Sequence, residues 1–440
     1  MPRYSVGADG SVADTTKPGN PQIAVVSTMQ DIVETPSQGP YKLLLAPTTA
    51  SAVESFQSDA YLDAFHCSSQ KEDEDLLDKL GKYFAMYEIP LGLLSYLLPL
   101  KNFKSHFIMD DSGSMNEKSD FTLGDAHPVV QSRFSHQPKG TVLTRWQEAE
   151  SRLHAMIDIL SFIPTLGITI SFLNRANVIT LMQQGKTSEA FAAEAHEKIT
   201  TAFQTQLNGY TPTRDALQRV FSEQTPTMVY LFTDGEPTDR QGRNKEEEIA
   251  KITQLVMSRN PSLHPLTFVS CTDNDDDTQW MKDVDEKALQ TAELDSYEDE
   301  ATEVRKKHGP VFPFSKGVLL ISTLVAAITK LLDGMDEPVP YSRCDMSKLS
   351  GYQLSDVDYQ RYFDLHPSSA RYRPFYGRLL AEDLPTEQIK ALPAAGDPRF
   401  FQPAPAGVPV GYPAPVYPPY GAAPSYAPPA YGWPSSSYPK

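Results

Sequence analysis

From Ser105 to Asp336 short apolar runs alternate with longer amphipathic ones, and no other feature limits the possible folds as strongly. The short runs are His106–Met109, Gly167–Leu173, Asn177–Leu181, Thr227–Phe232 and Leu266–Cys271. They have strand length, and most are apolar without a break, as strands covered on both sides are. The runs between them, Thr144–Phe162, Thr187–Leu207, Thr213–Ser222 and Lys245–Met257, read as helices. In the first of these Trp146, Ala149, Leu153, Met156, Ile157 and Leu160 fall on one face. Ser315–Leu332 is expected to be a closing helix. The pattern predicts an α/β fold: a doubly wound, mostly parallel sheet with helices on both faces and disordered termini. Ligands of such sheets bind at the carboxyl ends of strands.

Charge narrows the function. Lys and Arg number 39 against 56 Asp and Glu, a net charge of −17. That balance argues against non-specific nucleic-acid or anionic-membrane binding, which needs clustered Lys and Arg. Cys67, Cys271 and Cys344 are far apart and form no CxxC, so a zinc knuckle is not indicated and a reducing compartment is. The polar start, Met1 to Pro40, lacks the apolar centre of a signal peptide. Pro90–Leu100 and Gly317–Leu332 are too short to span a bilayer and read as buried helices. The expected location is cytoplasmic.

Along the chain, 1–70 reads as a largely irregular N-terminal segment. Residues 71–102 read as a helical lead-in packed on the core, with Glu72–Asp75 at its start and Pro90 and Pro99 as stops. The α/β unit occupies 103–336. Residues 337–401 read as a peripheral C-terminal segment, and 402–440 as a disordered Pro/Tyr/Gly-rich tail that has too little apolar surface to fold alone.

The chemistry concentrates at strand ends. His106–Met109 runs into Asp110-Asp111-Ser112-Gly113-Ser114, a D-x-S-x-S that taken alone reads as a turn or helix cap. Thr211 lies in the loop Gly209–Thr213, and Asp234 follows the strand that ends in Phe232-Thr233. If these strand ends meet at one rim, two carboxylates and three hydroxyls converge. Carboxylates so placed repel one another without a cation between them. Hard oxygen donors of this kind suit Mg²⁺ or Mn²⁺.

The set Asp110, Ser112, Ser114, Thr211 and Asp234, in that order, resembles the metal-ion-dependent adhesion site of von Willebrand factor A domains. The resemblance covers about half the chain. It implies ligation by Ser112 and Ser114, and by Thr211 directly or through water. It implies that Asp110 and Asp234 bind directly or hold the metal's waters. It also implies a non-enzymatic interaction module whose ion captures an acidic residue of a partner protein. The alternative is a non-catalytic subunit of a larger complex, an ATPase or ubiquitin-pathway assembly.

Smaller readings complete the picture. Gly113 and Gly235 allow close backbone approach or positive φ, or simply a tight turn. Asp111 and Glu236 are expected on the rim, facing solvent. Met115–Val142 reads as a polar loop beside the metal, and Ala288–Phe314 as an irregular stretch anchored by Phe312 and Phe314. Asp273–Asp277 reads as a solvated loop, and His154 and His196 as scattered packed or exposed histidines. In the tail Pro428, Pro429 and Tyr431 form P-P-x-Y, a ligand type for WW domains. Phosphate-loop, dinucleotide, zinc-protease and G-x-S-x-G motifs are absent.

Overall fold

The computed structural model describes residues 86–272 and 274–392, together with the backbone of a short antiparallel pair, Tyr4–Val6 with Val12–Asp14. Its elements in chain order are β1 (Lys104–Met109), β2 (Lys118–Thr122), α1 (Pro128–Arg133), β3 (Val142–Thr144), α2 (Arg145–Leu160), β4 (Ile168–Phe172), β5 (Val178–Leu181), α3 (Ser188–Phe203) and α4 (Thr213–Phe221). There follow β6 (Thr227–Thr233), α5 (Lys245–Ser258), β7 (Leu266–Ser270), α6 (Asp275–Asp285), β8 (Thr291–Leu294), α7 (Tyr297–His308) and α8 (Lys316–Val325). Six strands make one sheet in the order β8-β7-β6-β1-β4-β5. The β4–β5 pair is antiparallel and every other neighbouring pair is parallel.

Successive strand residues point to opposite faces, and the apolar side chains divide accordingly. Phe107, Met109, Tyr230 and Phe232 join one apolar cluster with residues of α2, α3 and α8. Ile108, Val229 and Leu231 join another with residues of α4, α5 and α6. β1 lies mid-sheet, and Phe107, Ile108 and Met109 are wholly buried, each contributing about 1.5–3 kcal/mol of apolar transfer free energy. Phe107 stacks on Tyr230 at 4.7 Å between ring centroids. Thr144 starts α2 with a capping box: its hydroxyl accepts from Gln147 N, and the Gln147 side chain accepts from Thr144 N.

Six stretches depart from the sequence expectation. Residues 115–142, expected as a loop, contain α1 and the β2–β3 pair around Leu123, Ala126, Val130 and Leu143. Their apolar residues are few and without period, so no local pattern announces them. Ala288–Phe314, expected as irregular, contains β8 and α7. The signals for α7 are electrostatic: Ser296 caps it, Glu298, Asp299 and Glu300 fill its first turn, and Arg305–His308 fill its last. Asn274 caps α6, so the acidic run opens a helix; Asp273 lies outside the described residues.

The closing helix is the fourth. It breaks after Val325, and the chain turns by 117° before Lys330–Asp333. Ser322 and Thr323 bond back to the carbonyls four residues earlier, which bends helices. The carbonyl of Leu324, which a continuing helix would give to residue 328, accepts from the Tyr230 hydroxyl at 2.9 Å.

Residues 91–102, expected as an α-helix stopped by Pro99, form a 3₁₀ helix with Pro99 inside it. It packs so closely on Arg343–Ser350 that a Cβ on Gly92 would lie 2.4 Å from the Lys348 carbonyl oxygen. Residues 337–392, read as peripheral, put Tyr341, Tyr359, Tyr362, Tyr372 and Leu379 into the larger apolar cluster. Among the described residues no single helix is long and apolar enough to cross a membrane. The tail motif Pro428, Pro429, Tyr431 and the start of the lead-in, 71–85, lie outside the described residues.

Candidate metal centre

The strand order reverses at β1: the chain passes from β1 to β4 and β5 on one side, then returns to place β6 on the other. Such a switch point opens a crevice at the carboxyl ends of the two strands. Asp110 follows β1 and Asp234 follows β6, so both carboxylates enter this crevice.

Asp110 is fully buried and accepts from the Thr233 hydroxyl at 2.6 Å and from Ser112 N at 2.9 Å. Ser112 Oγ and Ser114 Oγ lie 3.1 Å apart. Ser114 Oγ donates to Asp234 Oδ1 at 2.9 Å. The first and third sequence segments thus form one chain of oxygens. Thr211 is placed by its backbone: its N donates to Thr238 Oγ1, and its carbonyl accepts from Thr213 N and Thr238 N. The same loop is tied to the first segment by Gly113 N to Gly209 O at 3.4 Å and Asn208 N to Asp111 O at 3.1 Å. Gly209 has φ +107°, and a Cβ there would strike the Asn174 side chain.

Burial, and then the neighbouring Asp234 carboxylate, push the Asp110 carboxyl up to about 7. Burial also raises Asp234, opposed by Arg145 and Ser114. Burial disfavours the charged form of both carboxyls, and at Asp110 the neighbouring carboxylate adds to it. The donor set consists of hydroxyl and carboxylate oxygens, which fits a hard divalent cation rather than a thiophilic one.

Sequence reasoning missed Arg145. Its Nη1 donates to Asp234 Oδ2 at 3.0 Å and lies 3.1 Å from Glu117 Oε2 on the rim. Arg145 is the first residue of α2, where the helix dipole disfavours a cation. A basic residue directly after a threonine cap was therefore a usable signal that the side chain serves something outside the helix.

Asp111, expected to face solvent, is instead buried. It accepts from Asn174 N and Nδ2 and from Arg175 Nε, at 2.8, 3.1 and 2.7 Å. It anchors the turn between β4 and β5 rather than the rim. Glu236 pairs with Lys245. Gly113 and Gly235 meet nothing within 4 Å of an added Cβ, and neither has positive φ, so the tight-turn reading stands for both.

No known protein family matches the chain, and none of the curated proteins does. Solved structures similar to it include the PilB minor pilin from Streptococcus sanguinis, at 13% identity and TM-score 0.32, over 44% of this chain and 57% of the pilin. An aspartate-to-alanine mutant of that pilin matches at 13% identity and TM-score 0.34, over 53% of this chain and 62% of its own. The chain thus spans about three-fifths of the length of the pilins it matches.

Proposed function

We propose that residues 103–336 form a doubly wound domain of the von Willebrand factor A type. Asp110, Ser112, Ser114, Thr211 and Asp234 hold Mg²⁺ or Mn²⁺ there, and the ion captures an acidic side chain of a partner protein. The carrying observation is the oxygen chain Ser112–Ser114–Asp234 beside Asp110–Thr233 at the switch point. Strand order and the division of the core into two clusters support the doubly wound reading.

The chemistry favours capture over turnover. Neutral hydroxyls leave a bound divalent ion short of negative charge, so it retains affinity for a further carboxylate. Asp110, held by Thr233 and the Ser112 amide, is positioned to orient groups in the crevice rather than to leave it. The module is not an enzyme on this reading. The cytoplasm remains the expected compartment on this reading.

Mn²⁺ titration followed by electron paramagnetic resonance tests the ion. Wild type should quench the free-ion signal by one equivalent more than Asp110→Ala does; equal quenching by both removes the proposal. Partner capture is read by pull-down in Mg²⁺ against chelator. Bands lost both in chelator and in Asp234→Ala support it, and bands indifferent to both contradict it.

A further inference from the structure

A second cluster lies at the other end of α2, about 20 Å from the first by helical rise from residue 145 to 158. There the start of α1, the last turn of α2 and the middle of α3 bring His127, Asp158 and His196 together. His127 Nε2 lies 3.0 Å from Asp158 Oδ2, and His196 Nε2 lies 2.9 Å from Asp158 Oδ1. These ligand-type atoms all fall within 4.8 Å of one another. His127 and Asp158 are buried, and His196 leaves one partly open edge. We propose that His127, Asp158 and His196 form a binding site for a transition-metal ion of the Zn²⁺ class, separate from the oxygen site on the sheet.

The geometry is close to what such an ion requires. Zinc–nitrogen bonds of about 2.0–2.1 Å in a tetrahedron separate neighbouring ligand atoms by roughly 3.3 Å. The observed 2.9 and 3.0 Å, each to a different Asp158 oxygen, need a small spreading, and the remaining ligand atoms lie within 4.8 Å of one another. Two imidazoles and one carboxylate also select against Mg²⁺, which prefers oxygen.

The surrounding hydrogen bonds carry the argument further. His154 is fully buried, and its Nδ1 lies 2.8 Å from His196 Nδ1. Its Nε2 lies 3.7 Å from Glu150 Oε1, and neither atom has a hydrogen-bond partner. When His196 carries its single proton on Nε2, donated to Asp158, its Nδ1 accepts from His154 Nδ1. His154 Nε2 is then bare and faces the Glu150 carboxyl, which opposes it with a second lone pair whenever that carboxyl is ionised.

Metal on His196 Nε2 reverses this. The His196 proton sits on Nδ1 and is donated to His154 Nδ1. The His154 proton moves to Nε2 and points at Glu150. No proton is gained or lost, and a His154 N–H, rather than a lone pair, then faces the Glu150 oxygen 3.7 Å away. Such imidazole-to-carboxylate support behind a ligand is the usual way a metal site fixes its histidines. The two Nε2–H bonds to Asp158 are exchanged for bonds to the metal, and one further bond is given up. His127 Nδ1 accepts from Val129 N at 3.2 Å, and ligation through Nε2 moves the His127 proton onto Nδ1. Beyond that exchange the loss is a single cap at the start of the six-residue α1.

The test uses the full chain, stripped with chelator and held in excess Mg²⁺ so that the oxygen site is saturated. Co²⁺ is titrated, and its visible ligand-field absorption is followed. One equivalent should give the intense bands of a four-coordinate nitrogen/oxygen site, and Zn²⁺ should abolish them. His196→Asn should weaken Co²⁺ binding roughly tenfold or more, whereas Asp110→Ala should leave it intact and so separate this site from the first. Wild type with no such bands overturns the proposal, independently of how any variant folds. Bands unchanged in His196→Asn, or lost in a folded Asp110→Ala, also overturn it.

Discussion

At the scale of single residues, Arg145 most directly links the structure to behaviour in solution. Its guanidinium balances Asp234, one of two buried carboxylates in the crevice, so an entering divalent ion meets a positive charge already in place. Arg145→Gln is therefore expected to tighten Mg²⁺ binding by about 1 kcal/mol, roughly fivefold. Calorimetric titration checks the sign, and weaker binding in the variant would show that Arg145 supports the ion instead. Glu150 provides a pH test. Burial, opposed by Arg133, pushes its carboxyl up to about 7, above the ordinary 4.5. Between those values the native state keeps a proton that the unfolded chain releases, so this contribution is lost as pH rises through that window. Its slope is at most about 1.4 kcal/mol per pH unit. Urea unfolding in chelator at pH 5 and pH 8 should show a smaller loss for Glu150→Gln than for wild type; identical losses would contradict the assignment. The five oxygen-bearing residues could be picked out in the sequence because each sits beside a recognisable strand end or loop. Arg145 and the histidine cluster could not be picked out by the same means. His127, His154 and His196 lie on three different helices or their caps, and only packing brings them together.

At the scale of elements, strands and helices with strong apolar patterns were legible to within a few residues at their ends. Those held by charge or by distant contacts were not. Helix α7 buries only Ala301, Val304 and His308, too little for an apolar stripe. Where the closing helix breaks, Tyr230, nearly a hundred residues away in sequence, holds one of its carbonyls. The 3₁₀ helix 91–102 packs closely on its neighbour Arg343–Ser350. In that neighbour Lys348 Nζ lies 2.7 Å from Asp345 Oδ1, and both are buried. Lys348→Ala leaves the Asp345 charge without its partner and should cost about 3–5 kcal/mol in chemical denaturation. A cost below 1 kcal/mol would show that water reaches the pair.

At the scale of the whole molecule, the sheet brings three distant segments to one rim, and the alternation in the sequence implied as much. What the sequence did not reveal is how tightly the loops are tied to one another, as by Gly113 to Gly209 and Thr211 to Thr238. If the rim binds Mg²⁺ only when folded, the ion stabilises the fold by linkage. At a hundred times the dissociation constant the gain is about 2.7 kcal/mol, visible as a rise in melting temperature that Asp110→Ala should lack. A crystal structure grown in Mg²⁺ tests the central claim most directly. The account predicts one ion bonded to Ser112 and Ser114 at about 2.0–2.1 Å, with Thr211 and the two aspartates around it and Arg145 drawn away from Asp234. A rim without an ion, with Ser114 still donating to Asp234 and Arg145 still paired to it, would contradict the account.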